Sequence, residues 1–119
     1  MNQDEHNLQA ACVQWFRYQH RDLASLLFAV PNGGARSKAT AGRLKAEGVV
    51  AGVADLILLV PNADYHGLCI EMKTPTGRQS PEQKAWAQEA DRHGYRYVII
   101  RSLDLFINSI DNYLGKKND

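Results

Sequence analysis

The stretch Leu68-Cys69-Ile70-Glu71-Met72-Lys73 limits the folds open to this chain more than any other. An apolar run gives way to alternating charged and apolar positions, the pattern of a strand. Successive side chains alternate across a strand, so Glu71 and Lys73 share one face while Ile70 and Met72 share the other. Burying charge is costly unless a partner or a metal compensates it. A strand emerging into solvent with an ion pair across its face satisfies this pattern. So does a polar site built at the end of a sheet.

The segment before it narrows the choice. Ala54-Asp55-Leu56-Ile57-Leu58-Leu59-Val60 has no polar group after Asp55, which predicts a strand buried on both faces. A turn at Pro61-Asn62-Ala63-Asp64 and a second strand starting near His66 make the two an antiparallel hairpin. Asp55 stands at the start of the first strand and Glu71 near the end of the second. Antiparallel pairing sets those two ends side by side, so two acids and Lys73 converge on one corner.

Around this hairpin the chain alternates helices and strands. Leu8, Cys12, Trp15, Phe16 and Gln19 form an apolar stripe on a helix over 5–19. Glu5 lies on the same stripe, either as an acid favoured by the helix dipole or as an acid facing a shared site. Residues 26–30 read as a short buried strand ended by Pro31. Asn32-Gly33-Gly34 is a turn, either a plain connection or one giving a phosphate access to the backbone. Residues 36–47 have helical composition and end at Gly48. Ser80-Pro81-Glu82-Gln83 opens the next helix with a capping box, an ordinary structural use for Gln83. A strand over 95–100 and a helix capped by Ser102 complete the order. The fold class expected is an α/β sandwich with a mixed central sheet flanked by helices.

Composition removes several alternatives. The 119 residues suit one domain, 1–119, and hydrophobic residues at 45% suffice for an ordinary core. No apolar run reaches the roughly 18 residues of a membrane span, and the polar start, Met1 to Asn7, excludes a usual signal peptide. Cys12 and Cys69 sit in apolar patterns and read as core thiols of a reducing compartment. These features make the cytoplasm the expected location. A net charge of +1 is not the bulk signature of a nucleic-acid binder. Arg36, Lys38, Arg43 and Lys45 nevertheless cluster, either as a solvated helix face or as a surface for phosphate.

Two carboxylates with a backbone carbonyl at a strand end form an all-oxygen site of the kind Mg²⁺ or Mn²⁺ prefers. Such a metal activates water and offsets charge on phosphorus, and a neighbouring lysine stabilises that charge. Asp55 followed by Glu71-Met72-Lys73 resembles the PD-(D/E)xK nuclease superfamily. The chain is more similar still to its VRR-NUC branch, the virus-type replication and repair nucleases. The resemblance also takes in Glu5 with Gln9, Pro31 to Gly34 with Arg36, Leu44 to Gly48, Gly52 to Asp55, and Ser80 to Gln83. It departs at Ala54, where the family usually carries proline.

The resemblance implies a restriction-endonuclease-like sandwich. In it Asp55, Glu71 and the Met72 carbonyl hold Mg²⁺ or Mn²⁺, and Lys73 is the catalytic lysine. Glu5 assists through water, and Gln83 positions the water or the lysine. Asn32, Gly33, Gly34, Arg36 and Lys38 lie against DNA. It further implies a homodimeric endonuclease cutting branched DNA such as four-way junctions. A catalytically silent DNA-binding module on the same fold, or the same chemistry applied to flaps, DNA ends or RNA, are the competing expectations.

Overall fold

Alternation along the strands sorts their side chains onto two faces, and the helices cover those faces unequally. The structure is a computed structural model and describes residues 1–31 and 37–115. The elements run α1 (Gln3–Gln19), a 3₁₀ turn (Arg21–Leu26), β1 (Leu27–Ala29), α2 (Lys38–Ala46), β2 (Leu56–Leu58), β3 (Leu68–Met72), α3 (Pro81–Arg92), β4 (Arg96–Ile100) and α4 (Leu103–Tyr113). The four strands form one sheet in the order β1-β2-β3-β4. β1 and β2 are antiparallel, β2 and β3 are antiparallel, and β3 and β4 are parallel. The sheet is therefore mixed, and the order of helices and strands is the one the sequence predicts, with the 3₁₀ turn added.

One face carries Leu27, Leu56, Leu58, Leu68, Ile70, Met72 and Ile100, all buried. Cys12 and Phe16 of α1, with Phe106 and Ile110 of α4, close over it as the core. Both cysteines are free and buried. Burial pushes the Cys12 thiol up to about 12 and the Cys69 thiol up to about 11, so neither is a reactive thiolate near neutral pH. Asn2, Ser37, Ser80 and Ser102 cap the four α-helices, each accepting a backbone N–H in the first turn.

The opposite face carries Phe28, Ile57, Cys69, Glu71, Tyr97 and Ile99. α3 covers only its β4 side, where Trp86 meets the Tyr97 ring. This corrects the expectation of a strand over 54–60 buried on both faces. β2 spans only Leu56–Leu58, and Leu59 is 53% exposed, since among the described residues α3 packs on the β4 side. Gln19, placed on the inner stripe of α1 by spacing, is exposed. The helix ends there, and His20 turns inward against the rings of Phe16 and Trp15 instead. No helix among the described residues is long and apolar enough to cross a membrane.

A close backbone contact at one glycine brings α3 to the sheet end. Gly52 has φ +86°, and a Cβ there would strike the Glu82 carbonyl oxygen and lie 2.9 Å from the Gln83 nitrogen. Only glycine meets both demands without strain. The loop before β2 thereby lies directly on the first turn of α3, with Asp55 and Gln83 facing the same space.

Candidate active site

Register decides what stands beside what. Leu56 pairs with Ile70 across the antiparallel β2–β3 ladder, so Asp55 and Glu71, one step further along, face each other. Asp55 Oδ2 accepts the Met72 N–H at 2.7 Å, which fixes the aspartate against the end of β3. The backbone carbonyl of Asp55 accepts the Val30 N–H at 2.9 Å, drawing the end of β1 to the same corner. The Lys73 N–H donates to the Ile100 carbonyl and extends the parallel pairing by one residue beyond β3.

Glu71 is 1% exposed, and both of its oxygens have protein donors. The Tyr97 hydroxyl donates to Oε1 at 3.0 Å, and Gln83 Nε2 donates to Oε2 at 3.2 Å. Gln79 Nε2 donates in turn to the Tyr97 hydroxyl at 3.2 Å. The capping box occupies only half of the Gln83 amide, and the other half reaches Glu71 in place of the lysine. Gln83 Oε1 accepts the Ser80 N–H at 2.8 Å in the capping box, which leaves Nε2 aimed at Glu71. Burial pushes the Glu71 carboxyl up to about 8, with a hydrogen bond to Asp55 and its charge adding to the rise. Tyr97 and Lys73 pull in the opposite direction. A carboxyl raised by burial and then by a neighbouring acid is a site where a cation would relieve both costs.

Lys73 is 9% exposed. The ion pairs among the described residues lie on exposed helix surfaces, Arg43–Glu47 on one helix and Glu89 with Arg92 and His93 on another, and none involves Lys73. The ordinary reading of Glu71 and Lys73 as a solvent-facing ion pair is therefore not what the strand end contains. Glu71 is buried and tied to neutral donors, and the lysine contributes its charge without a direct pair.

Glu5, Asp55, Glu71, Lys73 and Gln83 line one cleft of about 370 Å³, together with Gln9 and the end of β1. Gln9 Oε1 is buried and has no hydrogen-bond partner among the described residues, so the cleft wall retains an unused acceptor. Among the described residues no three His, Cys, Asp or Glu side chains cluster tightly enough to cage a metal. The acidic side chains lining this cleft are Glu5, Asp55 and Glu71, the last two brought together by the register. An all-oxygen pair with space for water fits a hard divalent cation that keeps part of its hydration. Of the segment expected to meet DNA, Asn32, Gly33, Gly34 and Arg36 lie outside the described residues, and Lys38 is the exposed first residue of α2.

The model for the VRR-NUC domain matches residues 2–104. The chain belongs to the VRR-NUC family. A solved structure described as a VRR_NUC domain protein superposes on this VRR-NUC domain with a TM-score of 0.83 at 26% identity, covering 99% of this chain and 93% of that one. No curated protein matches the chain. The VRR-NUC domain is a nuclease domain, and nucleic acid is its substrate.

Two contributors escape a reading of the sequence. Tyr97 lies within an aromatic and β-branched strand, and only the parallel register of β4 on β3 reveals that it reaches Glu71. Arg101, just past β4, donates from Nη1 to the carbonyls of Thr74 and Gly77, each at 2.7 Å, and so anchors the turn that follows Lys73. Neither has a local signature, because each acts across the β3–β4 junction. Tyr97→Phe removes a donor from Glu71 and leaves Gln79 without its acceptor. It is expected to weaken divalent-metal affinity by about 10–100-fold, as for other residues that orient a metal-binding side chain. Titrating Mn²⁺ against cleavage rate measures this, and an unchanged half-saturation point would exclude the role.

Proposed function

We propose that this VRR-NUC domain is a divalent-metal-dependent DNA endonuclease that hydrolyses phosphodiester bonds in branched DNA, four-way junctions included, as a homodimer. The observation that carries the hydrolytic part is the Asp55–Glu71 pair beside Lys73 in one cleft. Asp55, Glu71 and the Met72 carbonyl would hold Mg²⁺ or Mn²⁺. A metal so bound supplies an activated water and offsets negative charge on the phosphate.

The chain's own groups do the remainder. Lys73 places an ammonium where charge develops on the non-bridging oxygens, in a setting dry enough for that charge to count. Gln83 and Tyr97 hold the Glu71 carboxylate in orientation through its two oxygens. Glu5 on the cleft wall accepts a hydrogen bond from water approaching the phosphate. The junction preference and the dimer follow from the family resemblance: a four-way junction cut symmetrically needs two sites related by a twofold axis.

A substrate panel tests this reading. Four-way, flap, splayed-arm and linear DNA, with matched RNA, are incubated at fixed salt with Mg²⁺, with Mn²⁺ and with EDTA, and sedimentation gives the oligomeric state. Metal-dependent internal cuts on the four-way substrate by a dimer are expected. Binding of DNA without cleavage in either metal would instead identify a silent DNA-binding module, and a preference for flaps, ends or RNA would reassign the substrate.

A further inference from the structure

A second depression, of about 950 Å³, opens beside the cleft and shares Asp55 and Gln83 with it. Its walls come from the C-terminal part of α2, the glycine-bounded loop leading to β2, and the first turn of α3. On α2 the lining includes Lys45, which is exposed and takes part in no ion pair among the described residues. Val49 and Val50 line the loop side and are 40% and 52% exposed. The first turn of α3 presents the positive end of its helix dipole, with Glu82 the opposing charge on that wall. α2 itself buries no residue, so this wall stands away from the core.

Continuity identifies the occupant. A phosphodiester at Asp55 and Glu71 belongs to a chain that must leave the cleft, and this groove begins at two residues of the cleft's own lining. Its composition suits a polynucleotide, since a lysine meets a phosphate and apolar side chains meet sugar or base faces. We propose that the groove between α2 and α3 seats the DNA strand flanking the scissile phosphate, with Lys45 on a backbone phosphate and Val49 and Val50 against the adjoining nucleotide. This inference rests on the nuclease reading and adds to it the path of the strand.

The test is steady-state cleavage of DNA substrates with arms of increasing length, by wild type and by the Lys45→Gln/Val50→Asp double variant. Wild-type KM is expected to fall as the arm lengthens. In the double variant KM on long arms rises about tenfold and loses its dependence on length, with kcat within about twofold. The slope of log affinity against log salt, measured by anisotropy in EDTA, falls by about one for Lys45→Gln alone. Arg92→Gln, at the far end of α3, serves as the control for lost charge. If wild type cuts DNA while KM, length dependence and salt slope are the same in the variants, the groove is wrong and the nuclease reading stands. A rise in KM for Arg92→Gln equal to that of Lys45→Gln alone, which removes the same single charge, assigns the effect to net charge and also overturns the groove. If wild type cuts no DNA in either metal, the nuclease reading falls and takes the groove with it.

Discussion

Glu71→Gln is expected to lower DNA cleavage about a thousandfold or more and, in the same protein, to raise the melting temperature of the metal-free form at pH 8–9. Under the proposed metal-dependent mechanism the first effect follows from losing one of the two acidic donors to a metal worth several kcal/mol at the transition state, at about 1.4 kcal/mol per decade of rate. The second follows from burial. Desolvation, and then Asp55, push the Glu71 carboxyl from 4.5 to about 8. A carboxyl raised on folding makes the native state bind more protons than the unfolded chain between those values, so stability falls as pH rises through them. Below about pH 4.5 the group is protonated in both states and the penalty vanishes. Above about pH 8 it is ionised in both and the penalty is complete.

Glutamine has the shape of the protonated acid and retains an oxygen for the Tyr97 hydroxyl, so it carries no such pH-dependent penalty. Its amide nitrogen cannot accept from Gln83 Nε2, a loss that is the same at every pH, so relative to their difference near pH 4.5 the variant should gain on wild type above pH 6, each kcal/mol moving the midpoint by roughly 4–8 °C. Thermal melts in EDTA across this range measure it, and parallel curves would falsify the burial argument. A variant that is inactive yet more stable has lost chemistry, with its fold intact.

Most of the site was legible in the sequence because the hairpin register is a local consequence of alternation. Asp55 before an apolar run and Glu71 at the end of the next strand meet in any antiparallel pairing that buries Leu56, Leu58, Leu68 and Ile70 on one face. The Ser80–Gln83 capping box was equally local. Residues acting across the parallel β3–β4 junction were not legible, since β4 reaches β3 only after the whole of α3 and its position depends on tertiary packing. Tyr97 and Arg101 belong to that class. The overestimate of β2 has a related cause: an unbroken apolar run signals burial on both faces, but α3 crosses the β4 side and leaves Phe28 and Leu59 uncovered. His20 shows the same limit at a helix end, where the chain's exit direction, absent from the periodicity, sets which side chain turns inward.

Lys73→Met should be the most selective substitution in the cleft. The thioether chain matches the length of the lysine stem, so the buried position stays filled. The ammonium is lost from a position 9% exposed, where it lowers the Glu71 carboxyl but forms no ion pair of its own. A buried charge without a direct partner contributes little to folding, so the melting temperature at pH 5, where Glu71 is protonated, should stay the same or rise. Turnover should fall about 10²–10³-fold, the usual loss when one preorganised group facing transition-state charge is removed. KM should change little, because ground-state contacts to the strand lie elsewhere. Lys73→Arg should not restore the rate: the planar guanidinium is larger and differently directed than a point ammonium, and Lys73 sits in a buried position. Single-turnover cleavage with saturating metal separates these outcomes. A large rise in KM at unchanged turnover would make Lys73 a DNA-binding residue, and full activity in the arginine variant would reduce its requirement to charge alone.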